Sequence, residues 1–310
     1  MKHYLEEIQE SMQQYWNLPA LSDFEGSVQY TYGELAQQTA WLGLMFEKIG
    51  IQKGDRIAIC GRNCSNWGVA YLAIAAYQGV AVSVLPDFTS DSIQELVNHS
   101  EAKVLFVGPW VKGRLDLDKM LNVETFIQIE DFTIMRSQKS IDRTDIDALF
   151  AERYPNGFTA KDVHMPIHNW DDLALINYTS GSTGSPKGVM ITNRNLSSNV
   201  AYARENIPND PTKQIVSMLP LAHMFGLMFE FIYQMAGGVH VYFMTKSLTP
   251  LLLMRAFAEV HPYMVLMVPL VIEKLFKKNI LPILHKPILK ILWNIPLINI
   301  PIRKKVYTRL

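Results

Sequence analysis

Apolar residues recur at helical spacing in YGELAQQTAWLGLMFEKIG, where Leu35, Leu42, Phe46 and Ile49 form one stripe that stops at Gly50. After QKGD the pattern tightens to RIAIC, a run of strand length. NCSNWGVAYLAIAAYQG then reads as a helix with Asn and Ser available as caps, and AVSVL as the next strand. Ser92 and Glu95 stand at capping-box spacing in SIQELVNHS, and KVLFVG and FIQIE follow as strands. The N-terminus, MKHYLEEIQESMQQYW, is amphipathic and lacks the uninterrupted apolar centre of a signal peptide. Strands alternating with helices of this length predict an α/β fold with a doubly wound, mostly parallel sheet.

Residues 131–170 break the pattern, being polar with Pro155, Gly157 and Pro166, and read as an irregular joint or surface excursion. The alternation then resumes. LALIN and GVMIT predict strands on either side of a Gly/Ser segment, and Leu196, Val200, Ala203 and Ile207 mark a helix. QIVSML and VHVYFM predict strands around a buried helix in MFGLMFEFIYQM. Thr249 is placed to cap a helix with Pro250 at its first position, YMVLMV reads as a strand, and LVIEKLFKKN as a helix after Pro269.

The segment YTSGSTGSPKGVMITNRN, from Tyr178 to Asn195, carries the chemistry. Backbone N–H groups at glycines form anion-binding concavities, hydroxyls add donors, and a lysine neutralises phosphate as a flexible point charge. Thr179, Ser180, Ser182 and Thr183 can donate, Gly181 and Gly184 let the backbone approach, and Lys187 supplies the charge. A Walker loop is excluded, because Pro186 precedes Lys187, Gly188 follows it, and a strand rather than a helix comes next. Strands on both sides hold the loop at the mouth of the sheet, where nucleotide sites of α/β folds lie.

Charge changes the picture at the far end. The totals balance at 29 basic and 29 acidic residues, yet from Lys274 to Leu310 there are nine Lys or Arg and no acid. Residues 1–273 are therefore acidic overall, which gives no reason to expect nucleic acid as a partner. The basic, apolar tail 274–310 holds four prolines, which argue against a membrane span. Two readings of it stay open: peripheral contact with an anionic membrane surface, or a core-facing helix pair. Cys60 and Cys64 have no second pair or His nearby, so idle thiols are expected rather than zinc or a disulfide framework.

YTSGSTGSPKGVMITNRN resembles the phosphate-binding signature of adenylate-forming enzymes, the superfamily of acyl-CoA synthetases, luciferases and peptide-synthetase adenylation domains. YTYGEL at 30–35 is similar to the family's Thr-Tyr-x-Glu-Leu element, and LPLAHMFG at 219–226 to its His-bearing second motif. VPLVIEKLFKK at 268–278 resembles the Val-Pro-x-x-x-Glu-Lys element of long-chain fatty acyl-CoA synthetases. The resemblance implies the α/β N-terminal domain of these enzymes and ATP-dependent conversion of a fatty acid to acyl-adenylate and then acyl-CoA. ATP and Mg2+ are the implied cofactors, with CoA as co-substrate. It gives Thr179 to Lys187 the β- and γ-phosphates, and sets His223 near the acyl carboxylate and α-phosphate, orienting substrate or gating its pocket. A His donating to a core carbonyl is the alternative for His223. Met224, Phe225 and Gly226 would border the substrate pocket, although Met228, Phe229, Phe231 and Met235 beside them suit core packing equally well.

Members of the family continue further, with a Tyr-Gly-x-Thr-Glu element whose acid binds Mg2+, a ribose-binding aspartate, and a small C-terminal domain carrying a lysine. No matching string occurs in residues 224–310, so no metal ligand is identifiable and the Mg-binding acid is expected beyond Leu310. The expectation is an incomplete N-terminal AMP-binding domain over 1–310, with subregions 1–165 and 166–310 and the small domain absent. A non-catalytic nucleotide- or acyl-binding module, or a defunct synthetase fragment, is the alternative. The implied localisation is cytoplasmic, with the inner membrane surface as a second seat through 274–310; oligomeric state leaves no trace in the sequence.

Overall fold

The computed structural model describes residues 1–167, 169–179 and 187–269, together with Glu273 and Lys277. Two compact units divide the chain, Met1–Val265 and Leu266–Leu310. In the second unit Glu273 and Lys277 form an i,i+4 ion pair. The rest of the predicted helix after Pro269, and the basic tail, lie outside the described residues.

In the first unit, α1 (Tyr4–Gln14) buries Tyr4, Leu5, Ile8 and Met12, the apolar stripe of the amphipathic N-terminus. Strands β1 (Pro19–Asp23) and β2 (Gln29–Thr31) precede α2 (Tyr32–Ile49). A capping box between Thr31 and Glu34 starts α2, and Gly50, at a φ of 85° that disfavours any residue with a Cβ, ends it. Then β3 (Arg56–Cys60), α3 (Ser65–Ala76), β4 (Val80–Val84), α4 (Ser90–His99), β5 (Val104–Val107), the single turn α5 (Pro109–Lys112) and β6 (Thr125–Gln128) alternate as the sequence predicts.

The helix starts differ from expectation. Thr89 caps α4, accepting from the Ser92 amide at 3.3 Å, so Ser92 stands at the third helical position and does not open the helix. FTSDS offers several capping residues, and the earlier one still lets Ile93, Leu96 and Val97 face the core. No local side chain caps α3. Instead Asp23, at the end of β1, accepts from the Ser65 amide at 2.7 Å and its hydroxyl at 2.8 Å. A carboxylate from a distant strand thus meets the positive end of the helix.

The stretch 131–170, expected to be irregular, contains β7 (Ile134–Ser137) and α6 (Arg143–Arg153). Only Ile146 of α6 is fully buried, with Leu149 and Phe150 half-buried beside it, so the apolar stripe is short and sits among charged residues. Next come β8 (Leu173–Thr179), β9 (Lys187–Thr192), α7 (Asn193–Asn206) and β10 (Gln214–Ser217). A short α8 (Met224–Gly226) continues as π-helix over Leu227–Ile232 and then α9 (Tyr233–Ala236), β11 (His240–Phe243) and α10 (Pro250–Val260). Thr249 caps α10 with Pro250 first, as predicted. YMVLMV is not a strand: the Tyr263 amide donates to the Gln214 carbonyl at 3.0 Å on the outer edge of β10, and no ladder follows among the described residues.

Seven strands form one sheet in the order β7-β6-β5-β3-β4-β8-β9, with β6 to β8 parallel and an antiparallel strand at each edge. Its central strands bury both faces by alternation, while the edge strands β7 and β9 are largely exposed. Ile57, Ile59, Val104, Phe106 and Leu175 face α2 and α3, while Ala58, Cys60, Leu105, Val107 and Ile176 face α4. Each such large side chain contributes roughly 1.5–3 kcal/mol. The second sheet, β10-β11-β1-β2, turns Leu21, Ile215, Val241 and Phe243 to the α2–α3 layer and Val216 outward to Ala256 and Val260 of α10. Helices on both faces of the large sheet make the fold doubly wound. No helix among the described residues is long and apolar enough to cross a membrane.

Candidate active site

Parallel pairing brings the carboxyl ends of β3, β4, β5 and β8 to one edge of the large sheet. β8 ends there at Thr179, whose register partner across the antiparallel pair is Lys187, and both are exposed. Ser180, Gly181, Ser182, Thr183 and Gly184 lie outside the described residues. Tyr178, one residue before Thr179, is buried and its hydroxyl meets His99 Nδ1 at 2.7 Å, which braces the end of β8.

His223 reaches the same edge on the turn that follows β10. Four anchors hold this turn. Asn177 of β8, buried, donates through Nδ2 to the Ala222 carbonyl at 2.7 Å and to Ser83 Oγ of β4 at 2.8 Å. Asn63, after β3, accepts from the Leu221 amide at 2.8 Å and donates to the Leu219 carbonyl at 2.7 Å. Glu230, fully buried on the π-helical turn, accepts at Oε2 from Ser217 Oγ at 3.0 Å and from the Met218 and Leu219 amides at 2.9 Å each. Burial pushes the Glu230 carboxyl up to about 8 against the opposing pull of these three donors.

Gly226 is the fourth anchor: a Cβ there would lie 2.6 Å from the Pro220 carbonyl oxygen, backbone that cannot swing aside. Gly226→Ala is expected to destabilise the protein by about 1–3 kcal/mol, as over-packing does. Denaturant unfolding checks this, and an unchanged midpoint would contradict the contact.

His223 itself is exposed and forms the N-cap of α8, its Nδ1 accepting from the Phe225 amide at 3.3 Å. That bond assigns the proton of the neutral ring to Nε2, which leaves a donor for a ligand oxygen. Met224 is half-buried against the core, and Phe225 is 47% exposed with its ring 5.0 Å from that of Phe229. Met228, Phe231 and Met235 are buried in the core, so packing claims them. A cavity of about 320 Å³ opens beside the turn, lined by Arg62, Asn63, Asp87, Pro220 and Lys246 among others. Burial pushes the thiols of Cys60 and Cys64 up to about 12, which keeps them protonated and unreactive. Among the described residues no three His, Cys, Asp or Glu side chains converge, and no step is assigned to Mg2+.

Asn63, Asn177 and Glu230 were not singled out by the sequence reading. Two of them carried a signal: Glu230 is the lone acid in MFGLMFEFIYQM, and Asn177 ends the apolar run LALIN. A polar residue inside such a run is expensive to bury unless it has a specific partner.

The model of the AMP-binding enzyme family matches residues 8–292, and the chain belongs to that family. The acyl-CoA ligase sidI of Aspergillus fumigatus is 25% identical over 238 residues, covering 74% of this chain and 40% of the relative. The peroxisomal long chain acyl-CoA synthetase 7 of Arabidopsis thaliana is 28% identical over 254 residues, covering 79% and 35%. The inhibitor-bound N-terminal domain of FACL13 from Mycobacterium tuberculosis superposes with a TM-score of 0.71 at 21% identity, over 90% of this chain and 66% of that one. The fold is thus that of the adenylate-forming N-terminal domain, and the chain spans about two fifths of the length of the curated relatives it matches.

Proposed function

We propose that this chain supplies the phosphate grip and the acyl-positioning turn of a fatty acid–CoA ligase acting on long-chain acids. The observation that carries this reading is the bond from Asn177 to the Ala222 carbonyl, which ties the strand ending at Thr179 to the turn presenting His223. Chemistry on a nucleotide and an acyl group needs those two elements at fixed separation. In the first step a carboxylate oxygen attacks the α-phosphorus of ATP, the bond to the β-phosphate oxygen breaks, and pyrophosphate leaves. In the second, the CoA sulfur attacks the acyl carbon and AMP departs. Thr179, Lys187 and the residues between them hold the β- and γ-phosphates, where charge neutralisation and positioning do most of the work. His223 donates from Nε2 to the carboxylate or α-phosphate oxygen. Met224 and Phe225 border the alkyl chain, and Gly226 permits the tight turn that presents them. The chemistry that Mg2+ would supply there, if bound, is charge neutralisation at the phosphate oxygens. Acid-dependent ATP–pyrophosphate exchange by the natural protein tests the reading: exchange that rises with alkyl chain length supports it, and none with any medium- or long-chain acid would sink it.

A further inference from the structure

We propose that Glu230 is a positioning residue for His223, fixing the Leu219–His223 turn through the amides at its start rather than by touching substrate. This rests on the reading of His223 as the donor at the reacting carboxylate. Three observations converge on it. All three donors to Glu230 come from consecutive residues, Ser217, Met218 and Leu219, at the point where β10 gives way to the turn. The π-helical winding of Leu227–Ile232, a local irregularity of the kind found at functional sites, carries this side chain inside an otherwise apolar segment. Finally, Oε1 is buried and has no hydrogen-bond partner among the described residues. Burying a carboxyl for the bonds at Oε2 alone is costly, and an apolar residue of similar size would avoid that cost. The same turn is also pinned by Asn63 and Asn177, so the exposed His223 directly follows a stretch held by three side chains.

The test compares Glu230→Met, close in volume but without the acceptor, and Glu230→Gln, which keeps one acceptor, in the natural protein. Each is combined with His223→Ala, and folding is verified by thermal unfolding. Loss of alignment predicts that Glu230→Met lowers kcat for pyrophosphate release about a hundredfold with KM for ATP little changed. Glu230→Gln should recover most of the rate, and with His223 already Ala, Glu230→Met should cost almost nothing further. Amide exchange should quicken at Met218, Leu219 and Leu221 in Glu230→Met and stay unchanged in β8. A folded Glu230→Met with wild-type kcat, or the same loss without His223, would overturn the proposal. If the wild type releases no pyrophosphate, the functional reading fails, and amide exchange judges the turn alone: wild-type protection in Glu230→Met then overturns the positioning role. If Glu230→Met does not fold, Glu230→Gln decides: wild-type kcat and exchange support the proposal, and lost kcat with wild-type exchange overturns it.

Discussion

Lys187→Ala should lower pyrophosphate release at least about a hundredfold and leave stability within about 0.5 kcal/mol of the parent. The split follows from position. Lys187 is exposed at the first residue of β9, opposite Thr179, so it buries no surface whose loss the fold would feel. On the proposed reading its charge matters only when a polyphosphate is present, where it would supply counter-charge to the leaving pyrophosphate. Steady-state kinetics beside denaturant unfolding measures both quantities. Equal loss of rate and stability would mean that the β8–β9 turn is structural and does not grip phosphate.

Asn177→Leu predicts the opposite pattern, with rate and stability falling together. Leucine fills nearly the same space but strands the Ala222 carbonyl and the Ser83 hydroxyl in the interior. Leaving two buried polar groups unsatisfied costs about 2–5 kcal/mol. The same change unties β8 from the turn carrying His223, so turnover should drop at temperatures where the variant is still folded. Unfolding followed by kinetics below the transition checks the pair. A destabilised variant with unimpaired kcat would show that the tie is structural only.

Local pattern exposed the large sheet well, because its central strands are buried on both faces and therefore read as short apolar runs between turns. RIAIC, AVSVL and KVLFVG became β3, β4 and β5 for this reason. The second sheet was less visible: β1 pairs in parallel with β11, more than two hundred residues later, and PALSD carries no alternation that forecasts such a partner. YMVLMV shows the converse error, since apolar, β-prone composition cannot reveal whether a neighbouring edge will accept a ladder. Helix α6 escaped notice because its apolar stripe is only Ile146, Leu149 and Phe150 in a polar stretch, and its bond from Trp41 to Asp147 forms only in the folded chain. At the site, Thr179 and Lys187 stood out through residue type and spacing, and His223 through the resemblance of LPLAHMFG to a family motif. The residues that hold them, Asn63, Asn177 and Glu230, come from three separate elements and meet only in the folded chain.

The most direct measurement of the central claim is a single turnover of the natural protein with ATP and a long-chain fatty acid, without CoA, quenched and read by mass spectrometry. The proposal predicts acyl-adenylate and pyrophosphate in equal amounts, with acyl-adenylate falling sharply in both Lys187→Ala and His223→Ala. Release of ADP and phosphate instead, or acyl-adenylate formed undiminished by both variants, would contradict it.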